Sequence, residues 1–289
     1  MRLAIVVIAF TCGHAAAACP PVGTTRAQLE QLKSTKWELA DGARRQALAI
    51  GMLDCLRDPD PVLRDDIGFE ALQFWMRGEQ LDNATVQAIR GTLQARLAAA
   101  DPSGFARPFA ALALAEVARI DRRKPFLSSV ERLDLVSAAN QYLSAVRDYR
   151  GFDQKQGWRH GVAHGADLML QLALNPALGK AEHEALLAAI GSQVLAADAH
   201  FYVYGEGERL MAPVFYLARR DTLSTADWET WFARLLAAPK APQSQAALAR
   251  RHNLNGFLLP LYASLAESAD AVQRARLLPI VTKALKQLD

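Results

Sequence analysis

Two histidines four residues apart, His160 and His164, are followed three residues later by Asp167 in the stretch "GWRHGVAHGADLML" at 157–170. Imidazoles one helical turn apart can chelate a single transition ion such as zinc, as the paired histidines of zinc peptidases do. On a straight helix Asp167 lies about 10 Å along the axis from His160, too far to join the same ion. It is better placed to orient His164 by accepting a hydrogen bond from it. The glutamate that acts as base after the first histidine of the peptidase signature is replaced here by Gly161. A metal therefore needs a third ligand from elsewhere, and "DAHFYVYGEGERLM" at 198–211 offers His200, Glu206 and Glu208. Two other readings compete with a metal site: a pocket for a non-metal ligand, and a buried polar network that serves the fold alone. The pocket would draw on Trp158, Arg159, His160, His164, Asp167, His200, Glu206, Glu208 and Arg209.

The element that must position these groups reads as a helix over 158–174. At 100° per residue, His160, His164, Asp167 and Gln171 share an arc of about 60°. Trp158, Val162, Met169 and Ala173 fall on the opposite side, while Ala163, Leu168 and Leu170 flank the polar strip. A helix apolar nearly all round is normally buried, and buried imidazoles and carboxylates need partners. Gly161 and Gly165, costly in a helix interior, predict the close approach of another backbone or a ligand. Upstream, Asp148, Arg150, Asp153 and Arg159 read as a charged loop held by Asp–Arg pairs, with binding of a charged ligand as the alternative. Glu206 and Glu208 suit the positive end of a following helix, and Asn253 and Asn255 in "RRHNLNGFLLPLY" suit a helix cap, with reaching a pocket as the alternative.

Around this segment the chain is of one kind. Apolar residues recur every three or four positions over 41–56, 60–76, 83–99, 105–120, 128–147, 180–197, 207–219, 224–236, 243–268 and 271–288, with Pro, Gly, Asp or Asn between blocks. Asp60 suits an N-cap and Pro61 the first helical position. Only "HFYVY" at 200–204 looks strand-like. The expected fold is all-α, with antiparallel helix pairs stacked as a HEAT-like α-superhelix; a closed α/α toroid would use the same pattern. Pro260 and Pro279 fall inside helical blocks, where they should kink or restart them.

The first eighteen residues carry one cation, Arg2, then an apolar run from Leu3 to Phe10 and small residues, the layout of a secretory signal peptide. Cleavage before Cys19 would leave residues 19–289 as a single domain. Export places Cys19 and Cys55 where disulfides persist, and a Cys19–Cys55 bridge is the favoured pairing. A lipid anchor on Cys19 is the rival, because "AAAC" loosely matches a lipoprotein cleavage site. The periplasm is the expected address, with secretion or a lipid-anchored form as alternatives. No segment reads as transmembrane. Beyond the leader there are 32 basic and 30 acidic residues, a balance that gives no broad field for nucleic acid. The basic cluster "DRRKP" at 121–125 reads as a solvated turn. There is no Gly-rich phosphate loop and no Gly-x-Ser-x-Gly elbow, so whether any reaction is catalysed stays open.

The stretches "YRGFDQKQGWRHGVAHGADLML", "CLRDPDPVLRDDIGFEALQFWMR", "GEGERL" and "NLNGFLLPLY" together resemble a bacterial family known as domain of unknown function 2785, over most of the chain from about Arg26 onward. The resemblance implies an all-helical fold with residues 158–167 as its hallmark, and it brings no settled activity. "GVAHG" is also faintly similar to the Gly-x-x-His-Gly turn of lanthionine cyclases, helical toroids with zinc. The cysteine ligands of those enzymes have no counterpart near these histidines.

Overall fold

The structure, a computed structural model, describes residues 19–237 and 244–288. The expected leader over residues 1–18 lies outside the described residues. Helix starts follow the local capping chemistry. Helix α1 (Arg26–Ser34) opens on a capping box in which Thr25 and Gln28 satisfy one another's backbone. It is short and mostly polar, which is why apolar periodicity passes over it; Leu29 is its buried residue. Asp41 caps α2 (Gly42–Cys55) and Asp82 caps α4 (Asn83–Ala98) through their carboxylates. Ser128 with Glu131, and Ser224 with Asp227, form the boxes that start α6 (Ser129–Ala145) and α10 (Thr225–Leu236).

Between α2 and α3 (Glu70–Arg77) runs a π-helix, Val62–Phe69, where periodicity alone predicts an ordinary helix. The Asp60 carboxylate accepts from the Val62 amide at 2.9 Å, as expected of a cap. The remaining helices are α5 (Ala106–Arg123), α7 (Gly161–Ala173), α8 (Lys180–Val194), α9 (Glu206–Leu217), α11 (Gln245–Ala266) and α12 (Ala271–Lys286). Pro260 and Pro279 sit inside α11 and α12 without restarting either, and Pro213 lies within α9.

The helices pack in two rows. One row is the π-helix with α3, then α5, α7, α9 and α11; the other is α2, α4, α6, α8, α10 and α12. Each helix packs on its neighbours in its own row and on the adjoining helix of the other, as in a helical repeat. At the far end α11 packs on α8, α9 and α12 rather than back onto α3, so among the described residues the rows run open instead of closing into a toroid. Buried apolar residues form one contiguous cluster from Leu29 to Ala284. Among the described residues no helix is long and apolar enough to cross a membrane.

Three local expectations are corrected. Residues 200–204 are not a strand: the short hairpin instead joins β1 (Phe152–Asp153) to β2 (Gly157–Trp158), with Phe152 opposite Trp158. Its turn forms because the Asp153 carboxylate accepts the amides of Lys155 and Gln156, and Gly157 takes a positive φ of 71°. Asn253 is no cap but lies within α11, buried, where it accepts from the Tyr202 amide and donates to the His200 carbonyl, fastening the 200–202 segment. Asp121 of "DRRKP" is buried rather than solvated, and it gathers Arg132 and Asn175.

Cys19 and Cys55 form the expected disulfide, 36 residues apart in sequence. Cys55 in turn packs against Gly68 of the π-helix, where a Cβ would lie 2.8 Å from the Cys55 Cβ.

Candidate functional site

The connections entering the first-row helices meet at one end of α5, α7 and α9, and there the histidines sit. Helix α7 begins at Gly161, later than the apolar pattern suggests, so Trp158 is on β2 and His160 is the N-cap. His160 takes a left-handed conformation, φ 53° and ψ 38°, which costs about 1–2 kcal/mol for a residue with a Cβ. Its carbonyl still accepts the His164 amide at 2.9 Å. The backbone reversal brings the Trp158 indole over the His160 ring, centroids 4.0 Å apart and planes within 5°. The helical-wheel expectation, which set Trp158 opposite the histidines, is thereby overturned: a wheel assumes a helix that has not yet begun.

His160 and His164 do come together, ring centroids 5.7 Å apart and tilted by 56°. Behind them the Phe109 ring meets His164 edge-on at 5.0 Å. In front, Tyr204 stands perpendicular to Trp158 at 5.5 Å, and Phe152 lies 5.0 Å from it. An unbroken file of rings thus leads from the core at Phe109 to the surface. His164 is buried, 7% exposed, and His160 half-buried. Burial, then the Arg209 cation, pushes the His160 imidazole down to about 4. Burial drives His164 well below its ordinary value too, reinforced by His160 and Arg209. Both rings are neutral at pH 7, and the Nδ1 of each is buried without a hydrogen-bond partner.

Asp167 does not orient His164. Its carboxylate takes a two-pronged ion pair from Arg209 of α9, with Nε at 2.9 Å. Burial raises its pKa, against the pull of Arg209. The other expected partners disperse. Arg159 turns inward, buried, donating to the Ser103 carbonyl and Gln156 while its guanidinium lies 4.3 Å from the Phe105 centroid. His200 stacks on Tyr149 at 4.5 Å, with its Nε2 buried and unpaired. Glu206, buried, accepts from the Tyr204 amide, and Glu208 is exposed in the first turn of α9. As expected, Asp148 and Arg150 form an ion pair in the approach loop. Among the described residues no three His, Cys, Asp or Glu side chains converge on a point where a metal could sit.

Gly161 and Gly165 are explained by α6. A Cβ on Gly165 would lie 2.8 Å from Leu143 Cδ1 and 3.1 Å from Tyr142 Cε1, and the Tyr142 hydroxyl donates to the Gly161 carbonyl at 2.9 Å. The glycines therefore report a protein neighbour on the face of α7 away from Asp167 and Arg209.

Sequence reasoning missed Arg64. Fully buried on the π-helix, it donates to the Gln156 carbonyl of the hairpin at 2.7 Å, pairs with Asp65, and stacks on Phe105 and Phe109 at 4.1 and 4.9 Å. It is the strut that presses the Trp158 hairpin onto the histidine wall. Its sequence neighbours carry no signal of this role, because the partner lies 92 residues away. Tyr204 was part of a misread strand, yet its ring covers Gly151 so closely that a Cβ there would fall 2.0 Å from Tyr204 Cδ2.

With this geometry in place, the comparison with family models is informative. The model described as "Protein of unknown function (DUF2785)" matches residues 94–263, more than half of the chain. The chain belongs to the DUF2785 family. The DUF2785 match takes in α5, α7, α9 and the hairpin, hence both histidines, Asp167, Arg209 and Tyr204. The stretch carrying Arg64 and the π-helix, although part of the resemblance, lies outside it. No curated protein and no solved structure matches the chain.

Proposed function

We propose that this DUF2785 protein is exported as one domain over residues 19–289 and binds a small ligand or partner in a polar recess around His160, His164 and Asp167, without carrying out a reaction there. One observation carries the reading. Two neutral imidazoles are held side by side, one of them at the expense of a left-handed backbone, and each buries an Nδ1 that nothing in the protein satisfies. A buried polar atom left unpaired costs about 1–3 kcal/mol, so a site that keeps two of them is organised for something other than stability. The Cys19–Cys55 disulfide supports an oxidising compartment such as the periplasm.

The alternative, a metal-dependent hydrolase, keeps the two neutral imidazoles as a ligand pair, with zinc or another divalent transition ion as the metal. His200 and Glu208 do not complete it: neither makes a ring or hydrogen-bond contact with the pair, and Glu206 is engaged by the Tyr204 amide.

Both readings are tested on one preparation. Untagged protein isolated from its own host is denatured; the supernatant is searched by mass spectrometry and the metal content measured. A stoichiometric organic molecule, lost in His164→Leu, is the expected result. Stoichiometric zinc lost in His160→Ala would overturn it in favour of the hydrolase.

A further inference from the structure

A groove lies in the other row of helices, away from the histidines. Helices α8 and α10 run parallel there: Lys180 pairs with Asp227 at 2.7 Å, the Trp231 Nε1 donates to the Leu187 carbonyl at 2.8 Å, and a Cβ on Gly191 would lie 3.3 Å from Leu235 Cδ2. Between Leu187 and Leu195, α8 lines the seam with Ala188, Gly191 and Ser192, which are too small to fill it, and a cavity of about 480 Å³ remains. That volume falls in the range of small-molecule sites, about 300–1,000 Å³. Its floor is hydrocarbon and indole, from the otherwise buried Leu187, Leu223, Trp231 and Leu235.

The charges along the groove are segregated. Where the helices start, Lys180 bridges Asp227 and, at 3.6 Å, Glu184, and Asp227 also accepts from the Ser224 amide and hydroxyl. Midway, the Ser192 hydroxyl donates to the Ala189 carbonyl. The remaining acid of α10, Glu229, does not line the cavity. What is left to a ligand is the exposed Thr230 hydroxyl at the rim and, where the helices stop, the exposed Arg234, which has neither a hydrogen bond nor an ion pair among the described residues. Beside it the half-buried Arg250 donates to the Leu235 carbonyl, and burial lowers its pKa with no carboxylate to oppose it. We propose that this groove binds a monomeric straight-chain amphiphile with an anionic headgroup, a fatty acid, with its tail along the Leu187–Trp231–Leu235 floor and its carboxylate on Arg234. A guanidinium receives a carboxylate through paired N–H groups. A polyhydroxylated ligand would leave most of its hydroxyls against hydrocarbon, and a cation would meet only carboxylates that Lys180 already neutralises.

The test separates tail from headgroup. Dodecanoate, dodecanol and dodecyltrimethylammonium, which share a tail, are titrated into the disulfide-intact protein by calorimetry below their micelle concentrations. Sedimentation with phosphatidylglycerol vesicles tests for a bilayer surface instead. The expected result is saturable binding of dodecanoate, at least about tenfold tighter than dodecanol or dodecyltrimethylammonium. Arg234→Gln, at an exposed side chain, should bring dodecanoate down to the affinity of dodecanol. Ala188→Phe, also at an exposed position, should fill the groove and abolish binding of both, with melting temperatures reported for each variant. The proposal is overturned by the absence of saturable dodecanoate binding, by equal affinity for the anionic and cationic amphiphiles, or by dodecanoate binding that Arg234→Gln or Ala188→Phe leaves unchanged. Sedimentation with vesicles in the absence of monomer binding would overturn it too, in favour of a bilayer surface.

Discussion

Two buried polar clusters in this protein, each built across several helices, have opposite characters. Around Asp121 every atom is answered. The carboxylate accepts from the Phe126 and Leu127 amides at 3.2 and 3.0 Å, from Arg132 at 2.6 and 3.0 Å and from Asn175 at 2.8 Å, and Arg132 also donates to the Leu127 carbonyl. Burial alone would raise the Asp121 pKa, but the hydrogen bonds from Arg132, Leu127, Asn175 and Phe126 outweigh it and hold the group lowered. Around His160 and His164 the Nδ1 atoms are buried without a partner, and burial depresses both groups unopposed by any carboxylate, with only a backbone hydrogen bond to Pro108 acting the other way on His164. A satisfied cluster ties elements together, while an unsatisfied one keeps bonding capacity in reserve. The first belongs to the fold, and the second is where the proposed ligand reading puts the site.

The sharpest way to break this contrast is Asp121→Asn, which leaves Arg132 buried without its counter-charge. A loss of about 3–5 kcal/mol is expected in denaturant titration. A loss below about 1 kcal/mol would show that the cluster does not hold the helices together. Next in size is Gly165→Val, on the face of α7 pressed against Tyr142 and Leu143. Overpacking there should cost about 1–3 kcal/mol while leaving the Trp158–His160 stack in place, checked by thermal melting and near-ultraviolet circular dichroism.

Acidification separates the two clusters by pH window. Histidines whose folded pKa is depressed bind protons more readily in the unfolded chain, so their contribution is fully present above the ordinary value of 6.5. It is lost as pH falls from there toward about 4, the value for His160 and for His183. Asp121, held below 3.8, should contribute to the loss only at lower pH. Melting temperature should therefore already decline between about pH 6.5 and 4.5, and less steeply in the double variant His160→Gln/His164→Leu. A residual slope is expected from His183 and His200, whose pKa values are also lowered. An unchanged slope would mean that the pair is not buried neutral. The smallest effect is the most telling. His164→Leu should leave stability unchanged or raise it by about 1 kcal/mol, since it replaces an unpaired buried ring nitrogen with hydrocarbon. A drop of several kcal/mol would make the pair a structural network like that of Asp121.

How legible the protein was depends on the range of the interaction. Apolar spacing identified the helices from α2 onward because each reports its own buried stripe, and "DPDP" marked a helix start because the capping partner lies two residues on. Trp158, His160, His164, Asp167 and Arg209 were all singled out from type and spacing, and they do lie together. Their relations were not legible. The wheel failed at Trp158 because one left-handed residue redirects the chain. Asp167 was assigned to the wrong partner because Arg209 arrives from another helix, 42 residues on. Arg64, Phe109 and Tyr204 went unseen for the same reason.

By itself, then, the sequence determined that the chain is helical and that it carries two histidines within reach of each other, and it favoured Cys19–Cys55 as the pair. The first two follow from contacts within a few residues, and the pairing from setting Cys12 aside with the expected leader. Only the tertiary structure decided that the glycines of α7 face α6, that Arg209 claims Asp167, and that a hairpin braced by a distant arginine lays an indole on His160. Each of these depends on which helices become neighbours, and that choice is made by the packing of the whole buried surface rather than by any one segment.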